Sequence, residues 1–186
     1  MAILPIVELG EPVLRQVARE VSEEELRSEK CQQFIDDLIE TMRHANGAGL
    51  AANQVAHPIR IFVVEVKSNN PRYPYKPPIS LKVLVNPRVV PIEETRFLNF
   101  EGCLSVPNLR GQVLRYQHVR LTYLDREGNA HEEEVQGITA GTYQHELDHL
   151  DGKLFVDRVE DTKSLCTWDN FEMYHKEHFV DYITKM

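Results

Sequence analysis

One stretch of this sequence carries three side chains that can bind and activate a metal ion. His145 and His149 stand four residues apart, with Glu146 between them, in an H-E-x-x-H pattern. Because residues four apart share one face of a helix, both imidazoles can reach one ion while Glu146 lies close to a water molecule there. The pattern predicts metal-assisted hydrolysis with Glu146 as the group that moves protons. The alternative is a pair of surface histidines.

A catalytic metal of this kind needs a third protein ligand, because such sites use three protein groups and keep one position open. Cys103 is a candidate, since residues 101–105 read Glu-Gly-Cys-Leu-Ser and lie on an irregular stretch between predicted strands. A thiolate there would complete the ligand set. An isolated cysteine is more often a small buried apolar residue, so Cys103 alone leaves both readings open.

A third segment, residues 47–54, reads Gly-Ala-Gly-Leu-Ala-Ala-Asn-Gln. Its glycines and alanines permit close approach of the backbone, and Gln54 offers an amide donor to a developing oxyanion. The other interpretation is a helix stop followed by tight packing.

Together and in this order, the three segments resemble the peptide deformylase family. Residues 47–54 are similar to its first motif, residues 101–105 to its second and residues 144–149 to its third. The similarity runs from about Leu4 to Asp157 and fades beyond it. It implies hydrolysis of the formyl group from the N-terminal formylmethionine of nascent polypeptides, with release of formate.

The resemblance also implies roles for individual residues. The implied metal ligands are Cys103, His145 and His149. The implied ion is Fe(II), and zinc, nickel or cobalt can take its place. The implied catalytic groups are Glu146 as acid and base, and Gln54 with the backbone N–H of Leu104 as oxyanion donors. Glu101 and Arg115 match positions that look like an ion pair, although the sequence alone favours two solvated charges.

We predict that the substrate binds in an extended form with an unbranched apolar first side chain, methionine above all. On a helix, Ile138, Gly141 and Thr142 share the face of His145, so Ile138 would supply an apolar wall and Gly141 space. Backbone near the glycine motifs would pair with the peptide as an added strand, and an arginine would contact a peptide carbonyl. The candidate substrate-binding residues are Ala48, Gly49, Gly102, Arg110, Ile138, Gly141 and Thr142.

Two other functions share part of this pattern. A zinc endopeptidase also uses H-E-x-x-H, but its usual third ligand is a histidine or glutamate and not a segment such as residues 101–105. A noncatalytic module stapled by a metal would have closed coordination and no use for Glu146.

Hydropathy and turn residues predict the elements that position these motifs. Apolar residues at helical spacing indicate helices at about 31–46 and 138–151, and the tail from about 160 can hold a third. Strands are predicted at 59–66, 82–86, 112–125 and 131–135, with a proline-rich loop after the first. The pattern predicts an α+β fold: a single domain with mixed or antiparallel sheets packed around a central metal-binding helix.

Composition limits the remaining possibilities. A chain of 186 residues that is 42% hydrophobic predicts one catalytic domain, residues 1–186, with a divergent tail from about residue 160. The net charge of −8 and the acidic tail disfavour nucleic acid, anionic membrane and direct ribosome docking, and leave transient ribosome proximity. Three widely spaced cysteines, no visible secretory signal and no apolar span predict a cytoplasmic protein.

Overall fold

The computed structural model describes residues 2–186 as helices packed on antiparallel sheets. The helices are α1 (Glu23–Arg27), α2 (Glu29–His44), α3 (Gly137–Leu150), α4 (Trp168–Tyr174) and α5 (Lys176–Thr184). The strands are β1 (Gly49–Ala51), β2 (Ile61–Val66), β3 (Ile79–Pro91), β4 (Arg96–Cys103), β5 (Val106–Tyr116), β6 (His118–Leu124) and β7 (Ala130–Gln136). No helix in this part of the chain is long and apolar enough to cross a membrane.

The strands form two sheets that both contact α3. Five strands are ordered β1-β2-β3-β6-β7, and β4 pairs with β5 in a separate two-stranded sheet. Every strand pairing is antiparallel. Because β1 lies at the end of its sheet and β4 has one partner, each presents an open edge. The α+β fold around a central helix is confirmed.

Strand β2 shows how the larger sheet is held between two helices. Its alternate residues Ile61 and Val63 join the apolar cluster that includes the buried face of α2. Phe62 and Val64 point the other way, into the cluster that includes Tyr143 of α3. A strand covered on both faces is apolar at nearly every position, and β2 has this composition. The sheet therefore forms the middle layer between α2 and α3.

The structure corrects two of the predicted elements. The strand predicted at 112–125 is two strands in different sheets, divided at Gln117. The backbone N–H of Gln117 donates to the carbonyl of Thr95, and its carbonyl accepts from Gly137, so these groups are not available to a continuous ladder. The stretch around Cys103 that was predicted to be irregular is instead the end of β4.

The C-terminal tail forms two helices that pack on the rest of the chain. Phe171 of α4 and Phe179 of α5 are buried against Phe100 of β4 and Ile138 of α3. The ring centroids of Phe100 and Phe171 are 5.0 Å apart. The divergent tail is thus part of the apolar core beside the second sheet.

Two glycines at the ends of α3 allow a matched stability test. Gly152 (φ +69°) and Gly137 (φ +60°) both have left-handed backbones, which cost roughly 1–2 kcal/mol for other residues. A Cβ on Gly152 would lie 2.6 Å from the carbonyl oxygen of Arg15, whereas one on Gly137 meets open space. We expect Gly152→Ala to lower the free energy of urea unfolding by at least about 1 kcal/mol more than Gly137→Ala. Equal losses would show that the backbone relieves the collision.

Candidate active site

The end of β4 and one face of α3 bring the three predicted metal ligands together. The ligand atoms of Cys103, His145 and His149 all lie within 4.8 Å of one another. Cys103 Sγ is 3.3 Å from His149 Nε2, and the two imidazole centroids are 5.0 Å apart. The four-residue spacing on α3 produces this arrangement, because it places both rings on the same side of the helix.

A buried carboxylate fixes the orientation of His145. Its Nδ1 lies 2.8 Å from Glu101 Oε2, which leaves Nε2 free to bind a metal. Glu101 also accepts from Arg115 at 2.7 and 2.9 Å, and Arg115 donates to Asp148 at 2.6 Å. Burial acts to raise the pKa of Glu101, but Arg115 and His145 outweigh it and lower that pKa. The interpretation of Glu101 and Arg115 as solvated charges is therefore wrong.

The Glu146 side chain lies in close contact with the backbone of the first motif, residues 47–54. A Cβ on Gly49 would lie 2.4 Å from Glu146 Oε1, so only glycine leaves room for this carboxyl group. Burial raises the pKa of Glu146 to about 7. Its Oε2 has no hydrogen-bond partner among residues 2–186. Oε2 is therefore a buried oxygen with its hydrogen-bonding capacity unused, as a group that must accept a proton requires.

The two predicted oxyanion donors lie beside the cysteine. Gln54 Oε1 accepts from the N–H of Ala51, which turns Nε2 toward Cys103 Sγ at 3.5 Å and Ser105 Oγ at 3.1 Å. Leu104 occupies the two-residue turn between β4 and β5. Gln54 and Leu104 both line the pocket that contains Cys103 and Glu146.

Most of the predicted substrate-binding residues line this same pocket. They are Ala48, Gly49, Gly102, Gly141 and Thr142. The space beside Gly141 is not empty as predicted, because a Cβ there would lie 3.0 Å from the amide of Asn99 and 3.1 Å from Phe97. Gly141 therefore allows β4 to pack closely on α3.

The structure places Ile138 and Arg110 outside the pocket lining, contrary to the sequence prediction. Ile138 is turned into the aromatic cluster beneath α5. Arg110 is fully buried, with its guanidinium 4.4 Å from the ring centroid of Trp168 and 3.8 Å from that of Phe171. It donates to the Tyr75 hydroxyl and to the Phe100 carbonyl, so it anchors the tail and the loop before β3.

Four pocket residues were missed by the sequence analysis: Tyr73, Lys76, Asn99 and Phe100. Tyr73 and Lys76 belong to the proline-rich loop, which the sequence indicates only as a break in the sheet. Their return to the pocket depends on tertiary contacts, and no spacing signals it. Asn99 stands two residues before Glu101, so alternation along β4 was the one available signal.

The cluster fits a divalent transition metal. Thiolate sulfur and imidazole nitrogen are ligand types that suit zinc and iron, and the pocket that contains Cys103 and His145 also contains Glu146. Burial lowers the pKa of His149, which keeps this imidazole neutral and able to bind. Burial acts in the same direction on His145, but hydrogen bonds to Cys103 and Glu101 outweigh it and raise that pKa. A metal would displace the proton held there.

A helix that presents two histidines and a carboxyl group to a pocket closed by a cysteine defines the protein's class as a metal-activated hydrolase. Comparison of the sequence with known families identifies which one. The chain belongs to the family described as polypeptide deformylase, whose profile matches residues 3–165. The known function of this family is deformylation of N-formylmethionine peptides.

Individual relatives agree along most of the chain. Peptide deformylase 2 of Nostoc sp. is 43% identical over 170 residues, which cover 91% of this chain and 93% of the relative. The enzyme of Teredinibacter turnerae is 42% identical, covering 95% and 99%. A crystal structure of class I type b peptide deformylase from Acinetobacter baumannii with Met-Ala-Ser bound has a TM-score of 0.81 and 42% identity. The match covers 85% of this chain and 99% of the chain in that crystal structure.

The contact between Gly49 and Glu146 gives a test of the site. Gly49→Ala should displace the carboxyl group and lower turnover by on the order of tenfold to a hundredfold, with the metal retained. The same substitution in a Glu146→Ala background should cost little, because the group it displaces is gone. Formate release and metal content measured for the four proteins check this. Equal losses in both backgrounds would contradict it.

Proposed function

We propose that this chain removes the formyl group from N-formylmethionine peptides with Cys103, His145 and His149 as metal ligands and Glu146 as the acid and base. The observation that carries the proposal is the position of Glu146, in contact with Gly49 and in the same pocket as Cys103 and His145. An endopeptidase is not supported, because the chain belongs to the polypeptide deformylase family and its third candidate ligand is a cysteine. A stapled binding module would have no use for the unpartnered Oε2 of Glu146.

Cys103, His145 and His149 would hold a divalent ion, which would supply Lewis acidity toward the formyl group and the water. Glu146 takes a proton from the attacking water as the C–O bond forms. It then gives that proton to the peptide nitrogen as the C–N bond breaks, so that formate and a free amine leave. A pKa of about 7 lets one carboxyl group perform both transfers near neutral pH.

Gln54 and Leu104 would stabilise the negative charge that develops on the formyl oxygen. Gln54 Nε2 is already fixed beside Cys103 by the hydrogen bond that Oε1 accepts from Ala51. The backbone N–H of Leu104 follows directly after the cysteine ligand. Gln54 Nε2 also donates to Ser105 Oγ, so the N–H now directed at Cys103 Sγ is the one that would turn to the oxyanion.

The peptide would lie extended between two open strand edges. β1 pairs only with β2, and β4 only with β5. Pocket residues 47–49 and 99–102 lie beside these edges. An extended substrate can therefore add as a strand, which supports the predicted roles of the backbone at Ala48, Gly49 and Gly102. Transient ribosome proximity and a cytoplasmic location stay predictions from the sequence.

Removing a ligand and removing the proton-transfer group should have separable effects. Cys103→Ala should lose metal and activity together, since two imidazoles hold the ion weakly. Glu146→Ala should keep the metal and lose activity by a factor on the order of a hundred or more. Cys166→Ala, a free cysteine outside the pocket, is the matched control and should retain both. Metal analysis and formate release distinguish these cases, and normal turnover by Glu146→Ala would refute its role.

We propose Fe(II) as the working ion, with zinc, nickel and cobalt able to occupy the site. The ligand set does not itself select iron, and the support is the family resemblance. Air or peroxide should inactivate the iron-loaded protein faster than the nickel-loaded protein, because thiolate and ferrous iron are both oxidised readily. Activity followed over time in air checks this. Equal lifetimes of the two forms would count against iron chemistry at Cys103.

A further inference from the structure

The amino group of Lys76 forms part of the wall of the active-site pocket. It donates to Thr142 Oγ1 at 2.9 Å and lies 4.6 Å from the ring centroid of Tyr73. Lys76 and Thr142 both line the pocket that contains Glu146 and Cys103. The pocket wall next to the reacting groups is thus formed by an amino group and a hydroxyl, where an aliphatic wall was predicted.

Lys76 has no carboxylate partner. In the described part of the chain it forms no ion pair within 4.0 Å, whereas Lys82 and Lys176 each have one. Burial is the largest influence on its pKa and lowers it. Of the two carboxyl groups that act on it over a longer range, Glu101 is bonded to Arg115 and Glu146 faces the reacting position. An amino group that is removed from water and has no carboxylate partner is stabilised by a further hydrogen-bond acceptor.

The position of Lys76 relative to the reaction matches the first side chain of a peptide. Thr142 lies on α3 four residues before Glu146, a rise of about 6 Å. The side chain next to the formyl nitrogen begins within that distance of the reacting carbon. An unbranched side chain would enter with its end toward Lys76.

Resting on the proposed function, we infer that Lys76 determines specificity for the first residue and favours side chains that end in a hydrogen-bond acceptor over aliphatic ones of the same length. A thioether is a weak acceptor, so methionine is accepted. Methionine sulfoxide carries a strong acceptor at the same place. It is also the oxidised form of the residue at the start of the family's substrates. The substrate class therefore includes peptides that begin with formylmethionine sulfoxide.

The test compares four formyl peptides that differ only at the first residue: norleucine, methionine, methionine sulfoxide and glutamine. With the metal-loaded protein, kcat/KM from formate release should be about tenfold to a hundredfold higher for sulfoxide and glutamine than for norleucine. That range corresponds to one hydrogen bond to a charged group. Lys76→Met should remove or reverse this ratio while metal content stays constant. Lys67→Met, an exposed lysine before the same loop, is the matched control and should leave the ratio unchanged.

The outcomes separate this inference from the proposed function. No formate from any of the four peptides would refute the proposed function itself. Formate from all four with equal kcat/KM, or a preference for norleucine in the unaltered protein, would overturn the role of Lys76 alone. This comparison needs no variant, so it decides the matter even if Lys76→Met does not fold. An equal loss on all four peptides in Lys76→Met would show that the lysine only supports the loop.

Discussion

The buried guanidinium of Arg115 is the interaction on which the site depends. It joins Glu101 of β4 to Asp148 of α3, and Glu101 in turn holds His145. The second sheet and the metal-binding helix are thus connected through one charged network. Removing one partner of such a buried pair costs roughly 3–5 kcal/mol, because it leaves an uncompensated charge in the interior. The network therefore fixes the fold and the imidazole orientation at the same time.

The same network explains why a carboxylate next to a metal ligand stays ionised. Without Arg115, burial would favour the protonated form of Glu101, and a neutral acid would hold His145 less firmly. Glu146, the residue after His145 on α3, has no arginine partner, and burial raises its pKa to about 7. Two buried glutamates in one pocket are thereby given different tasks, one electrostatic and one in proton transfer.

Local spacing was sufficient to predict that His145 and His149 lie together, whereas the burial of charged residues and the path of the loops were not predictable from it. His145 and His149 are linked by helical geometry, and family resemblance supplied Cys103 from a distant strand. Whether Arg115 is exposed or buried depends on Asp148, which reaches it only through packing. Lys76 enters the pocket because its loop folds back onto α3, a contact between residues 66 positions apart. Nothing in the adjacent sequence specifies such a contact.

The C-terminal helices contact residues that also support the substrate pocket. Arg110 is held between Trp168 and Phe171 and binds the hydroxyl of Tyr75, in the loop that also carries Lys76. The tail therefore contacts both the second sheet and the loop that forms one wall of the substrate pocket. A substitution at Trp168 or Phe171 would loosen Arg110 and, through its bond to Tyr75, the loop that carries Lys76.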